Sequence, residues 1–285
     1  MKTGICTWSL MGFPIESPRD LVDYAKQYGF QTIDLSLGGY QRFFNWMKQP
    51  LKRVIEHFTA FRAYADLQGI DISQTHAPYA VFPKFLGKDF LKSQYRSVLI
   101  THLVGARYMV VHPIAFPLYG LKPLDREELE YNLRFFKKLI PHLRKHHVQA
   151  AVENIFDRDQ GNIRNIHVSQ PEGIAEYLSL LPEEHYVFCL DTGHLNIAGK
   201  APHDAILLLG KRLKVLHVHD NDGIGDQHVL PGQGRIDWDD FTASLAKVHF
   251  DGAMSLEIKP ELSFFPEAKQ VCDRLVSETL KYRQD

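Results

Sequence analysis

Residues 186–194 read YVFCLDTGH. The apolar run 186–190 ends at Asp191, and His194 follows three positions later. A short apolar run that stops at polar groups reads as a buried strand, and both of these groups are good metal ligands. The same ending recurs along the chain. His76 stands in HAPY (76–79), His112 in VVHP (110–113) and Glu153 in AVEN (151–154). His217 stands in LHVHD (216–220) and Glu257 in SLEIK (255–259), with Asp226 and His228 in the loop DQH between them. A divalent ion needs several imidazoles and carboxylates converging on one point. Consecutive strands of a parallel barrel, each ending in one such group, deliver that.

The spacing between these runs supports the same architecture. A strand over 4–7 precedes a helix over 18–28, entered at Pro18 and left at Gly29. QTIDLSL precedes a helix over 51–67, IDISQTH one over 90–104, and YMVVHP a long one over 126–146. QAAVEN precedes a helix over 171–181, YVFCLDTGH one over 203–209 and LKVLHVHD one over 238–248. AMSLEIK and a helix over 267–282 close the series. Eight strand–helix units in 285 residues predict an α/β chain closed as a (β/α)8 TIM barrel, one domain over 1–285. An open doubly wound sheet would carry a Gly-rich phosphate turn after its first strand. That turn reads TWSLMGF, without GxGxxG.

Composition bounds the function. The chain is 45% hydrophobic and 24% charged with a net charge of -1, so no strongly basic surface for nucleic acid is advertised. Cys6, Cys189 and Cys272 are far apart, which suits a reducing cytoplasm. MKTGICTWSLMGFP lacks the apolar core of a signal peptide. No stretch approaches the roughly 20 apolar residues that span a bilayer. The expected location is therefore cytoplasmic, without membrane attachment. Mixed carboxylate and imidazole ligation suits Zn²⁺ or Mn²⁺, with Fe²⁺, Co²⁺ or Mg²⁺ also admissible. Cys189 shares the inward parity of Asp191 but lies deeper in the strand, and reads as core.

HAPY, VEN, LDTGH, HVHDNDG, GDQHVLPGQGRIDW and SLEIK resemble the xylose isomerase-like barrel superfamily. That superfamily holds sugar isomerases and epimerases, inosose dehydratases and isomerases, and the endonuclease IV group. The epimerase pattern of Glu, Asp, His and Glu ligands falls on Glu153, Asp191, His217 and Glu257, and its substrate-contacting His falls on His194. The Arg that normally follows six residues after the strand-seven His is Gly223 here. Endonuclease IV resembles all nine residues in chain order, so His76, His112, His194, Asp226 and His228 become candidate ligands of additional metals. Tyr79 matches as well. Against that likeness, the early HxSxxGG signature is replaced by CTWSLMGFP, HxNDxK reads HVHDND, and LDTCH reads LDTGH.

The resemblance implies a metal-dependent isomerase or epimerase of a small sugar, sugar phosphate or polyol-derived ketone. Glu153 and Glu257 would move the proton through an enediolate, and His194 would orient a hydroxyl. The alternative is a multinuclear zinc phosphoesterase. Around the chemistry, Trp8, Tyr79 and Phe82 are candidates for an apolar wall or for local packing. Lys259 and His219 would stabilise oxyanion charge, although Lys259 equally suits an ion pair with Glu261. Arg235 in PGQGRIDW either binds an anion or sits in a tight loop, and Asp237 suits the N-cap of the next helix. The expected partner is a small carbohydrate-like molecule rather than nucleic acid. Dimers and tetramers are common in the superfamily, so a homo-oligomer is compatible with it.

Overall fold

The computed structural model describes residues 1–79, 88–114, 125–159, 162–164, 166–260 and 265–284. Phe82 and Glu261 lie outside these residues. The described strands are β1 (Lys2–Cys6), β2 (Thr32–Ser36), β3 (Asp71–His76), β4 (Tyr108–Val111), β5 (Gln149–Glu153), β6 (Asp157–Asp159), β7 (Asn162–Arg164), β8 (Tyr186–Asp191), β9 (Leu213–His217) and β10 (Ala253–Leu256). The described helices are α1 (Pro18–Gln27), α2 (Leu37–Tyr40), α3 (Leu51–Gln68), α4 (Lys88–Leu103) and α5 (Asp125–His146), followed by α6 (Pro171–Ser179), α7 (Thr192–Ile197), α8 (Pro202–Leu209), α9 (Trp238–Lys247) and α10 (Phe265–Tyr282).

Eight strands pair in parallel in the order β10-β1-β2-β3-β4-β5-β8-β9. The circle is completed just past β9, where Val218 bridges Leu256 in parallel. There Val218 N donates to Ser255 O at 2.9 Å and Glu257 N donates to Val218 O at 3.0 Å. This is the (β/α)8 barrel that the strand–helix alternation predicts. The antiparallel hairpin β6–β7 and the short helices α2 and α7 are additions, each in a connection that leaves the C-terminal end of a barrel strand.

Local chemistry sets the helix limits. Ser17 and Asp20 form a reciprocal capping box at the start of α1, with Pro18 at its first position. Gly69, at φ 74°, ends α3 in the left-handed conformation that glycine adopts without strain. Asp237 caps α9 by accepting from the backbone N–H groups of Asp239 and Asp240.

The strands are buried on both faces, as parallel barrel strands must be. Outward residues such as Met109, Val152, Phe188, Leu190 and Leu216 join the main core with helix residues such as Phe136, Leu139 and Ile206. Inward, Val110, Ala151, Val187, Cys189 and Val215 form a separate apolar layer. Side chains two residues apart share a face. One step above this layer therefore lie His112, Glu153, Asp191 and His217, at the C-terminal mouth of the barrel. Among the described residues, no helix is long and apolar enough to cross a membrane.

Candidate metal centre

Glu153 is the pivot of the mouth. Its Oε1 lies 3.2 Å from His217 Nδ1, and Glu257 Oε2 lies 3.2 Å from the same nitrogen. Asp191 completes this central set, whose four ligand atoms lie within 4.8 Å of one another. On one side, Glu153 Oε2 stands 3.0 Å from His112 Nε2 and 3.3 Å from His76 Nε2, and the two Nε2 atoms are 3.1 Å apart. On the other, Asp226 faces His228 Nε2 at 3.3 Å and His194 Nε2 at 3.8 Å. The nine expected residues thus converge as one centre with a four-ligand middle, a flank of His76, His112 and Glu153, and a second flank in which His219 joins His194, Asp226 and His228; Glu153 is shared between the middle and the first flank.

The rear nitrogens of four of the five imidazoles are tied to oxygen acceptors. His76 Nδ1 faces Ala77 O at 2.8 Å, His194 Nδ1 faces Asn154 O at 3.0 Å, and His228 Nδ1 faces Glu257 O at 2.7 Å. In His217 the roles are reversed, with Nε2 at 2.8 Å from Asp34 Oδ2. A proton on each rear nitrogen leaves the lone pair of the other pointing into the centre, which is how metal-binding histidines are usually held. His217 Nδ1, Glu153 Oε2 and Asp226 Oδ1 are also buried without a hydrogen-bond partner among the described residues. Buried polar atoms are rarely left this way. Hard and borderline donors aimed at shared points fit divalent ions, and Glu153, Asp191, His217 and Glu257 would hold the central one. His228 adopts φ 47°, uncommon for a residue with a side chain, and it lines the cavity at the mouth.

Electrostatics at the centre agree. Burial opposes the charge on Glu153, yet His112 and His217 hold its carboxyl well below the usual range. Burial also pulls against a charged His194, but Asp191 and Asp226 push it up to about 10. His228 behaves alike. Burial lowers it, while Asp226 and Glu257 raise it to about 9. The mouth thus favours negative charge on Glu153 and positive charge beside it, the balance that a cation bound there would also satisfy.

Above the centre opens a cavity of about 720 Å³. Trp8, Tyr79 and Lys259 line it, as does Phe156, which sequence reasoning did not single out. Each aromatic ring sits against a histidine. Tyr79 stacks on His112 with centroids 4.8 Å apart, Trp8 stands edge-on to His228 at 5.2 Å, and Phe156 stands edge-on to His194 at 5.3 Å. Two expected substrate contacts do not reach the cavity wall. His219 is fully buried, stacked on His228 at 3.7 Å, with its Nε2 3.0 Å from Asp191 Oδ1. Strand β9 ends at His217, so the two-residue parity no longer governs where His219 points.

Arg235 lies on an exposed loop outside the cavity lining. Its loop is clamped by the buried Asp220. That carboxylate accepts backbone N–H groups from Asn221, Gly232, Arg235 and Ile236 and the indole N–H of Trp238. Cys189 lies beneath Glu153 and His217, where burial pushes its thiol up. Cys6 Sγ stands 3.8 Å from Glu257 Oε1. Asp34 is the supporting residue that sequence reasoning passed over. An acidic residue inside the apolar strand TIDLS was its signal, because an isolated carboxylate there is costly to bury.

The family model of the xylose isomerase-like TIM barrel matches residues 22–275. Among curated relatives, D-psicose 3-epimerase of Enterocloster bolteae is 27% identical over 157 residues, 55% of this chain and 48% of the relative. An uncharacterised protein of Sinorhizobium fredii is 25% identical over 197 residues, 66% of this chain. The chain spans 60%, 52% and 48% of the length of three curated relatives that it matches, roughly half of each. Among solved structures, a D-tagatose 3-epimerase-like protein superposes with a TM-score of 0.77 at 18% identity, covering 100% of this chain and 98% of that one. The IolI protein with a bound zinc atom also gives 0.77, at 17% identity, covering 99% of each. These structural likenesses establish the fold. With most of its length matched by the family model, the chain belongs to the xylose isomerase-like TIM-barrel family.

Proposed function

We propose that this chain is a divalent-metal-dependent isomerase or epimerase of a small sugar, sugar phosphate or polyol-derived ketone. It would work as a single domain over 1–285 in the cytoplasm. The observation that carries the reading is the meeting of Glu153 and Glu257 at His217 on the floor of an open cavity. The epimerase among its relatives and the several sugar epimerases among its structural neighbours support it. A divalent ion, zinc or manganese by donor type, held by Glu153, Asp191, His217 and Glu257 would polarise a substrate carbonyl and acidify the adjacent C–H.

Two carboxylates then divide the proton transfer. Glu257 is 14% exposed and Glu153 only 1%, so Glu257 is the better placed to take the first proton from a substrate entering from the cavity. Glu153, after taking up a proton from solvent, would deliver it to the other side of the enediolate, while Glu257 would release its own to the cavity. His194 orients a hydroxyl, and Lys259 at the cavity wall stabilises oxyanion charge. Trp8 and Tyr79 pack against the apolar face of the sugar. His219 acts indirectly, by holding Asp191.

Incubation with candidate ketoses in D₂O should wash deuterium into the carbon next to the carbonyl. Glu153→Gln and Glu257→Gln should each abolish the exchange. Full exchange in either variant would remove that residue from the site.

A second reading, metal-assisted phosphoester hydrolysis, is favoured by one observation, the two flanking ligand sets beside the central one. Nicking of abasic DNA, without exchange into any ketose, would replace the first reading with this one.

A further inference from the structure

We infer that Asp34 is a positioning residue for the central ligand set, holding His217 in the Nε2–H form so that Nδ1 presents its lone pair to the point where Glu153 and Glu257 meet. The inference rests on the reading that this set binds a divalent ion. Six barrel strands end in or beside a ligand candidate, whereas β1 and β2 end in none. Asp34 lies on β2 and reaches across the barrel to His217 on β9, with Oδ2 2.8 Å from Nε2 and both side chains fully buried.

Three further observations make the contact a built one. The ladder between β2 and β3 shifts register between Ile33 and Asp34, so Asp34 pairs with Gln74 rather than Ser73. Such irregularities re-aim side chains. Gln74 Nε2 then donates to Asp34 Oδ2 at 2.9 Å and to Leu216 O at 3.3 Å, which keys the carboxylate to the backbone just before His217. Finally, among the described residues the one ion-pair contact of Asp34 is with His217, so the imidazole N–H and the Gln74 amide are what compensate its burial.

An imidazole whose Nε2 faces a carboxylate carries its proton there, and the neutral ring then offers only Nδ1 as a ligand. His217 Nδ1 is the atom that lies 3.2 Å from both Glu153 Oε1 and Glu257 Oε2. A carboxylate behind a ligating imidazole both fixes the ring and strengthens it as a donor, and removing such a partner typically lowers metal affinity about 10–100-fold.

The test uses the full chain, stripped by chelator and titrated with Zn²⁺ against a chromophoric competitor. Asp34→Asn keeps an acceptor but not the charge, and should weaken the tightest site by about tenfold. Asp34→Ala removes both, and should approach a hundredfold loss. In zinc-loaded protein with ¹⁵N-labelled histidine, the His217 ring, identified by its loss in His217→Gln, should show a downfield, slowly exchanging Nε2–H in the wild type that moves upfield or broadens away in Asp34→Ala. If Asp34→Ala does not fold, Asp34→Asn carries the affinity test alone. Zinc affinity within twofold of wild type in Asp34→Asn, or a wild-type His217 bearing its proton on Nδ1, overturns the inference. A wild-type protein that binds no zinc at all instead overturns the metal reading beneath it.

Discussion

At the scale of single residues, the centre depends on groups that touch no ligand position. Gly193 is the clearest case. A Cβ there would come within 1.9 Å of His219 Cε1 and 2.4 Å of its Nδ1. The glycine in LDTGH therefore makes room for His219, whose ring lies against both Asp191 and His228. Gly193→Ala should push His219 off Asp191 and destabilise the fold by about 1–3 kcal/mol, the range for overpacking a dense interior. Zinc affinity should fall with it. Denaturant titration and zinc competition on the same variant check both, and an unchanged zinc affinity would show that Asp191 holds its place without His219.

Elements explain why some of this was legible and some was not. Apolar runs that stop at His, Asp or Glu disclose both a buried strand and its mouth-facing end, so the ligand positions follow from the strand pattern alone. The pattern fails where strands stop. His219 shares parity with His217, but the chain has left β9 by then and turns to bridge β10. The role of Asp34 was hidden for the opposite reason. It lies within a strand, and what it faces is a histidine 183 residues away, which only barrel closure brings near. The motif PGQGRIDW shows a third case. Its spacing suits an anion site or a turn, and the deciding group is Asp220, upstream in the sequence. Five N–H donors converge on that carboxylate, and most belong to the loop itself. Asp220→Ala would leave the buried donors among them unpaired, with an expected loss near 3 kcal/mol. Thermal or denaturant melts of that variant measure it, and a loss below about 0.5 kcal/mol would mean that water replaces the clamp.

For the whole molecule, the decisive quantity is the charge stored at the barrel mouth. In the metal-free protein His194 is pushed up to about 10 and His228 to about 9, both by neighbouring carboxylates against the pull of burial. Groups raised in this way contribute stability in full below their ordinary value near 6.5, and lose it as pH rises through 9 and 10. Glu153 and Asp226 are shifted downward, so their contribution is present above about pH 4 and is lost as pH falls below it. Chelated protein should therefore melt at its highest temperature between about pH 5 and pH 7, and progressively lower toward pH 10. Zinc reverses the alkaline limb, because a ligating imidazole must first give up its proton. The stabilisation conferred by zinc should grow from pH 7 to pH 9. At a free zinc concentration 100 times the dissociation constant it amounts to about 2.7 kcal/mol, several degrees in melting temperature. Paired melts with chelator and with zinc across that range measure the difference directly. A zinc increment that stays flat with pH would mean that no proton leaves His194, His217 or His228 on binding, and would count against all three as ligands.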